Sequence, residues 1–153
     1  MKISWAEIAD AAEILALQKL AYQSEAARYN DYNISPLNQT LDEIMGQFKN
    51  HVFLKAVVEG KIIGTVRAFE ESATCYVGRL AVHPAMQNRG TGTALMKEIE
   101  KYYKPERFEL FVGSKSDNNI HLYRKLGYRI SKTAQYECGD IEIFYMEKIC
   151  GNL

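Results

Sequence analysis

The segment that most limits how this chain can fold covers residues 82–95, where the end of an apolar strand passes through a glycine-bearing loop directly into a helix. Gly90 and Gly92 permit positive φ and let a ligand approach the backbone closely. The first turn of the following helix adds N–H groups without an intrahelical partner and the positive end of the helix dipole. The segment therefore predicts an anion site, most simply a pyrophosphate site, which Gln87 and Arg89 can extend.

Two other kinds of phosphate loop fit this segment poorly. No Gly-Lys-Ser/Thr triplet follows the glycines, and Lys97 comes too late to replace its lysine, so we do not expect a nucleotide triphosphate. The dinucleotide-binding fingerprint matches only in part, because Leu95 stands where its third glycine or alanine belongs. A small Rossmann-like nucleotide binder is therefore the least favoured of the functions that we retain.

The remaining pattern is Gln87-x-x-Gly90-x-Gly92 after a strand that ends in Leu-Ala-Val-His-Pro at residues 80–84. It closely resembles the acetyl-CoA loop of the GNAT superfamily of acyl-CoA N-acyltransferases. A second block, Asn-Ile-His-Leu-Tyr-Arg-Lys-Leu-Gly-Tyr at residues 119–128, resembles the closing helix of that superfamily and the strand after it. The order of predicted elements extends the resemblance over nearly the whole chain.

Hydrophobic periodicity and turn residues predict the elements around these blocks. Two capping boxes, Asp10-x-x-Glu13 and Thr40-x-x-Glu43, predict a first helix that runs to about Arg28 and a short second helix, with a loop over residues 29–39 between them. Glu59-Gly60-Lys61 predicts a hairpin between two β-branched runs. The remaining runs predict strands at 2–6, 52–58, 62–69, 73–82, 107–112, 128–135 and 141–148, and helices that end at 104 and 126.

The fold class expected from this order is α/β (α+β). We expect one GNAT-like N-acetyltransferase domain over residues 1–153, with a mixed, mostly antiparallel central sheet of about seven strands flanked by about four helices. A chain of 153 residues with 47% hydrophobic content can bury such a core without disulfides or metals.

Charge and cysteine content limit the partners and the compartment. The 19 basic and 19 acidic residues cancel, which argues against nucleic acid and anionic membranes as partners. The 3 cysteines are far apart and form no Cys-x-x-Cys pair, so neither a disulfide framework nor a zinc site is indicated. With no signal peptide and no span of membrane length, a cytoplasmic location is expected. A homodimer through the final strands is possible on this pattern.

The resemblance implies acetyl-CoA as cosubstrate and no metal. In the family, the strand that ends at Val82 and the strand that begins near Arg107 separate, and the pantetheine arm enters the gap. Backbone donors of residues 80–82 would hold this arm and stabilise the oxyanion that forms at the thioester. The residues implied to bind the cosubstrate are Leu80, Ala81, Val82, Gln87, Asn88, Arg89, Gly90, Thr91, Gly92, Thr93, Ser116 and Asn119.

The resemblance also implies a general acid. Tyr123 occupies the position of the family's helix tyrosine, and a phenol with a pKa of about 10 stays protonated at neutral pH and can protonate the departing thiolate.

The resemblance does not identify the general base, because several relatives have a glutamate on the strand of residues 80–82 and this chain has none there. We rank Glu70 first as a tentative base acting through water, with Glu71 and Glu25 as alternatives.

Several residues are candidates for the acceptor side. Arg79 can bind an acidic group of the substrate, or it can pair with Glu70 or Glu109 across the sheet. The tentative substrate-binding residues are Glu25, Tyr29, Tyr32 and Arg79.

Two function classes follow. The preferred one is an enzyme that moves an acetyl group from acetyl-CoA to a primary amine, of a small molecule or a peptide, in a direct ternary complex. The alternative is a catalytically weak CoA-binding sensor or interaction domain. His83 is expected to support the loop, and Cys75 to act as a small buried hydrophobic residue.

Overall fold

The seven strands found in residues 1–151 lie in one sheet. The computed structural model describes residues 1–151, apart from the side chain of Cys138. The strands have the order β1-β2-β3-β4-β5-β7-β6, with the bounds β1 Lys2–Trp5, β2 Val52–Val58, β3 Lys61–Glu71, β4 Thr74–Val82, β5 Arg107–Gly113, β6 Arg129–Gln135 and β7 Glu142–Ile149. The helices are α1 Ala11–Ala21, α2 Gln23–Tyr29, α3 Ser35–Asn38, α4 Leu41–Gln47, α5 Thr91–Glu100 and α6 Asp117–Lys125. The predicted mixed, mostly antiparallel sheet of about seven strands is confirmed, since only β4 and β5 pair in parallel.

Local turn chemistry sets the register of the first hairpin. Val58 pairs with Lys61, which leaves Glu59 and Gly60 as a two-residue loop, with φ of 51° and 76°. Two consecutive residues of positive φ are the requirement of the type I′ turn, whose twist matches that of the flanking strands. The hairpin predicted at this position is confirmed.

The parallel pair β4–β5 opens along its length. Only Thr74, Cys75 and Tyr76 of β4 pair with β5, and the last rung joins Tyr76 to Glu109. Beyond that rung the two strands diverge, so the predicted separation is confirmed. β4 is also irregular against β3, because the register shifts beside Arg79, which has a φ of 53°. A bulge of this kind increases the local twist and redirects side chains.

The helices before the sheet differ from the sequence prediction. The first helix ends at Ala21, and α2 begins after Tyr22, so the predicted single helix to Arg28 is two helices. The predicted loop over residues 29–39 contains the short helix α3. These two differences account for six α-helices in residues 1–151 where about four were expected.

One of the two predicted capping boxes is wrong. The Thr40–Glu43 box is present, with reciprocal hydrogen bonds of 2.8 and 3.2 Å. The Asp10–Glu13 box is absent, because both carboxylates bind elsewhere. Asp10 accepts hydrogen bonds from the Glu7 backbone N–H and from Lys55 Nζ, and Glu13 accepts from the Ile62 backbone N–H at 2.8 Å.

Helices cover both faces of the sheet. Side chains of α1 and α4 pack against Phe53 and Ile62 on one face, and side chains of α5 and α6 share a core with Leu54 and Ile63 on the other. Neighbouring strand residues point to opposite faces, which gives this two-sided burial. Within residues 1–151, no helix is both long and apolar enough to cross a membrane.

The chain closes with the predicted final hairpin. β6 and β7 pair in antiparallel fashion, and β6 forms one edge of the sheet. Dimerisation through these strands stays a prediction.

Candidate active site

A cavity of 420 Å³ lies beside the glycine loop at the end of β4, and we call it the loop cavity. Its walls come from α1 and α2, the end of β4, the loop, the first turn of α5, and α6. The residues that line it are Ala21, Tyr22, Ser24, Glu25, Arg28, Leu80, Ala81, Val82, Met86, Gln87, Asn88, Gly90, Thr91, Gly92, Thr93, Ser116, Asn118, Asn119, His121, Leu122 and Lys125.

Positive backbone angles shape the loop. Asn88 has a φ of 62°, and Gly90, the N-cap of α5, has a φ of 82°. The first intrahelical bond joins the Ala94 N–H to the Gly90 carbonyl at 3.0 Å. The backbone N–H groups of Thr91 and Gly92 precede that bond and so have no intrahelical acceptor. The loop thus has the geometry of an anion site at a helix N-terminus, on a helix long enough to carry a dipole.

His83 supports this loop, as the sequence predicts. Its ring Nδ1 accepts a hydrogen bond from the Ala85 backbone N–H at 3.1 Å, and the backbone N–H of His83 donates to the Ile63 carbonyl at 2.8 Å. Gln87 adds a weaker bond from Nε2 to the Val82 carbonyl at 3.4 Å. Hydrogen bonds therefore connect the loop to both β3 and the end of β4.

The predicted cosubstrate residues are gathered almost completely. All of them line the loop cavity except Arg89, which is exposed and lies between lining residues Asn88 and Gly90.

A second cavity, of 200 Å³, adjoins the first. We call it the arginine cavity, because Arg67 and Arg79 both line it. Its lining residues are Tyr22, Glu25, Tyr29, Ile34, Pro36, Arg67, Val77, Gly78, Arg79, Leu80, Phe111, Val112, Gly113, Ser116, Asn119, Tyr123, Tyr136, Ile141 and Ile143. The residues common to both cavities, and therefore at their junction, are Tyr22, Glu25, Leu80, Ser116 and Asn119.

Tyr123 lies in the wall of the arginine cavity and is only 7% exposed. Burial, with smaller contributions from Tyr22 and Glu25, raises the pKa of its phenol above the ordinary value. The pKa of Tyr22 is also raised by burial, although Arg79 and Arg67 oppose the shift. Both phenols therefore keep their protons at neutral pH.

Glu25 is held at the junction of the two cavities. Its Oε1 accepts a hydrogen bond from Ser116 Oγ at 2.5 Å and lies 3.9 Å from Arg28 Nε. Ser116 is 2% exposed, and its Oγ also accepts a bond from Asn119 Nδ2 at 3.2 Å. The carboxylate of Glu25 keeps 18% of its side-chain surface exposed, so water can reach it.

The structure separates Glu70 from both cavities. Glu70 pairs with Cys75 near the start of β4 and is exposed. At about 3.3 Å per residue, some 16 Å of strand lies between that position and Leu80. This placement argues against the predicted role of Glu70 and favours the alternative Glu25, which lies on α2.

Tyr29 and Tyr32 have different positions. Tyr29 lines the arginine cavity, and its hydroxyl accepts a hydrogen bond from the Lys115 N–H at 2.8 Å. Gly113 makes room for it, because a Cβ there would lie 2.0 Å from the Tyr29 hydroxyl oxygen. Tyr32 is 56% exposed and lines neither cavity.

Arg79 makes neither of the two ion pairs considered from the sequence. Its Nη1 donates to Gln39 Oε1 at 3.1 Å, while Glu109 pairs with Arg107 at 2.8 Å. Sequence reasoning missed Arg67, which donates to Gln47 Oε1. A polar residue inside the apolar run of β3 was the available signal.

Cys75 is fully buried, as expected, and burial raises the pKa of its thiol to about 12. Within residues 1–151, no group of three or more His, Cys, Asp or Glu side chains is placed to hold a metal ion.

Solved structures of other proteins share this fold. PaiA N-acetyltransferase from Thermoplasma acidophilum, solved with coenzyme A, superposes with a TM-score of 0.76 at 21% identity, covering 98% of this chain and 100% of its own. YncA from Salmonella typhimurium, a putative acetyltransferase solved with acetyl-CoA, gives 0.79 at 18% identity, over 100% and 95%. The smu.2055 protein of Streptococcus mutans gives 0.80 at 22% identity, over 97% and 99%.

The sequence also matches a model of a protein family. The model of the acetyltransferase (GNAT) family matches residues 12–128, which include the glycine loop, the separating strands and the α6 tyrosine. The chain belongs to the GNAT family of acetyltransferases.

Proposed function

We propose that this protein transfers an acetyl group from acetyl-CoA to a primary amine in a direct ternary complex. The observation that carries the proposal is the junction of the two cavities: Glu25 lies where they meet, and Tyr123 lines the arginine cavity beside it. One cavity would hold the donor and the other the acceptor, so the amine and the thioester would meet at that junction.

The loop cavity suits the donor. Acetyl-CoA, as the cosubstrate, supplies the activated acetyl thioester. Backbone N–H groups at the start of α5 would bind its pyrophosphate. The unpaired stretch of β4 at residues 80–82, beyond the last rung with β5, would offer backbone groups to the pantetheine amides. A backbone N–H in this stretch would also stabilise the oxyanion of the tetrahedral intermediate.

Glu25 is the group we assign to the acceptor's proton. An alkyl amine has a pKa of roughly 10.4, so it must lose a proton before its nitrogen can attack. A water at the exposed edge of the Glu25 carboxylate would take that proton and pass it to the carboxylate. The hydrogen bond from Ser116 and the nearby Arg28 guanidinium fix the carboxylate in place.

Tyr123 completes the proton balance. The amine nitrogen attacks the carbonyl carbon and forms the new C–N bond. As the tetrahedral intermediate collapses, the nitrogen gives its second proton to water, the C–S bond breaks, and its electron pair goes to the sulfur. The Tyr123 hydroxyl would donate its proton to that sulfur and regain one from solvent after product release. The raised pKa of Tyr123 keeps the proton available until the thiolate forms, and the same burial increases the basicity of the thiolate.

Calorimetric titration with acetyl-CoA, CoA and NAD, followed by a thiol-release assay against pooled amines, tests the proposal. We expect tight binding of acetyl-CoA and CoA, no binding of NAD, and thiol release that depends on amine. Gly92→Ala should weaken acetyl-CoA binding by about tenfold, because its Cβ, in ordinary contact with Leu80 and Leu122, would take up space in the wall of the loop cavity beside the N–H groups that would bind the pyrophosphate.

Gly46→Ala is the matched control, since a Cβ at that position contacts nothing within 4 Å. Binding without release, for every amine, would support a CoA-binding sensor instead. A preference for NAD would indicate a nucleotide binder, and no CoA binding would remove the proposal.

A further inference from the structure

We infer that the arginine cavity binds the anionic group of the acceptor, and that the acceptor is a small amine that carries a carboxylate, such as an amino acid with an apolar side chain. Arg67 and Arg79 are the assigned ligands of this carboxylate. The inference rests on the proposed function, since it names the class of acceptor for the same site.

The backbone brings the two arginines together. Arg67 on β3 pairs with Gly78 on β4, and Arg79 is the next residue along β4. The bulge at Arg79, with its positive φ, displaces this residue from the regular alternation of the strand. Both guanidinium groups therefore line one cavity, although regular alternation would place residues 78 and 79 on opposite faces.

Neutral side chains hold both guanidinium groups. Arg79 donates to Gln39 Oε1, which also accepts from Gln18 Nε2 at 3.0 Å. Arg67 donates to Gln47 Oε1, which also accepts from Gln39 Nε2 at 2.9 Å. This amide network orients the arginines from α1, α4 and the residue after α3. It leaves their charges uncompensated, because amide oxygens carry no net charge.

No carboxylate among residues 1–151 lies within 4.0 Å of either guanidinium. Glu25 is the one acidic residue in the described wall of the cavity, and Ser116 and Arg28 already engage it. Burial first, and then the neighbouring Arg79, lower the pKa of Arg67 to about 10. Arg67 therefore stays charged at neutral pH at an electrostatic cost, which an incoming carboxylate would relieve.

The rest of the wall selects the body of the acceptor. Apolar side chains supply much of it, notably Ile34, Pro36, Val77, Ile141 and Ile143. A volume of 200 Å³ holds an amino acid of moderate size. Two partly buried cations repel a polyamine, which would bring further positive charge to the site. An apolar amino acid matches both the charge and the walls.

The test compares ligands that differ only in the carboxylate. The protein saturated with CoA is titrated calorimetrically with N-acetyl-leucine and N-acetyl-phenylalanine, and with the carboxamide of each. We expect at least one acid to bind about tenfold or more tightly than its amide, because a guanidinium pair favours a carboxylate. In thiol release, the free amino acids should likewise exceed the amino acid amides.

Variants then identify the ligands. Arg67→Gln and Arg79→Gln should each remove the preference for the acid, whereas Arg79→Lys should retain part of it. Lys61→Gln, which makes the same charge change at an exposed hairpin position, should leave the preference intact. Circular dichroism and CoA affinity serve as checks that each variant is folded.

The outcomes separate this inference from the proposed function. Equal binding of acids and amides, or of neither, by a protein that binds CoA overturns the carboxylate assignment. An acid preference that survives both glutamine substitutions overturns the two arginines as its ligands. Failure to bind CoA at all would instead overturn the proposed function.

Discussion

Burial sets the chemistry open to Tyr123. A phenol in water loses its proton near pH 10, but the raised pKa of this one removes it from consideration as a base. Its neighbour Tyr22 is protonated for the same reason, while Glu25 lies at the junction with the loop cavity. Among these three side chains, one carboxylate can accept a proton and the phenols can only donate. The assignment of acid and base follows from this difference.

Replacement of Tyr123 by phenylalanine tests its role as acid. Tyr123→Phe should lower kcat by about 10- to 1000-fold, in line with the loss of a general acid, while the Kd for acetyl-CoA changes less than about threefold. Steady-state kinetics and calorimetry measure the two quantities. Because the pKa of Tyr123 is raised, wild-type turnover should also show no loss up to pH 10 from deprotonation of this group.

Tyr102→Phe is the control for that substitution, since Tyr102 is 41% exposed on the surface beyond α5. An unchanged kcat in Tyr123→Phe would leave the thiolate to take its proton from water.

Among the elements of the fold, α5 matters most, because its first turn follows the glycine loop and lines the loop cavity. Its first turn packs tightly on β3. A Cβ built at Gly64 would lie 2.9 Å from Leu95 Cδ1 and 3.0 Å from Thr91 Cγ2. Leu95 is fully buried and Thr91 is 4% exposed, so neither can move aside without displacing the helix. The height of the anion site above the sheet therefore depends on a glycine outside the loop.

Gly64→Ala should shift that first turn. We expect a loss of about 1–3 kcal/mol in the free energy of unfolding, the usual effect of overpacking, together with weaker acetyl-CoA binding. Denaturant unfolding and calorimetry measure these effects. Gly78→Ala on the neighbouring strand is the control for stability, since a Cβ there meets nothing within 4 Å. Equal stability of the two variants would contradict the tight packing of α5.

Elements that depend on local chemistry were predictable from the sequence. The Glu59-Gly60 turn and the Thr40–Glu43 capping box involve residues at most three positions apart, and both are present. The Asp10–Glu13 box failed because a strand backbone N–H and Lys55 are stronger competitors for the two carboxylates. Sequence spacing does not reveal such distant partners. The break between α1 and α2 at Tyr22 was also missed.

At the scale of the whole molecule, the same distinction separates the two cavities. The loop cavity is built largely from two contiguous blocks, which is why its residues could be listed from the sequence. The arginine cavity joins α2, α3, α6, β3, β4, β5 and β7. Arg67 and Gln47 are 20 positions apart in sequence and come into contact only in the folded chain. In the sequence, nothing distinguishes Glu70 from Glu25 as a candidate base. Only the register of β3 with β4 separates Glu70 from the site.

His51 links burial and the charge of Arg67 to the pH dependence of the protein's stability. This half-buried ring lies with its centroid 4.8 Å from that of Phe69, and its Nδ1 lies 3.1 Å from the Gln47 carbonyl oxygen. Burial, and then the positive charge of Arg67, lower the pKa of His51 to about 4 from 6.5, against the opposing effect of Gln47. The folded protein therefore holds His51 neutral at neutral pH.

The sign of its effect on stability follows from proton binding. As the pH falls from 6.5 towards 4, the unfolded chain protonates this histidine and the folded chain does not. The contribution of His51 to the free energy of unfolding is therefore fully present above pH 6.5 and is lost as the pH falls through this range. Allowing for solvent screening, the loss should be about 1–2 kcal/mol.

Denaturant unfolding at pH 7.0 and pH 4.5 should therefore show a smaller difference in the free energy of unfolding for His51→Gln than for the wild type. His121→Gln, at an exposed position on α6, should match the wild type, because all other titrating groups are shared. Identical pH dependence in all three proteins would mean that His51 titrates alike in the folded and unfolded chains.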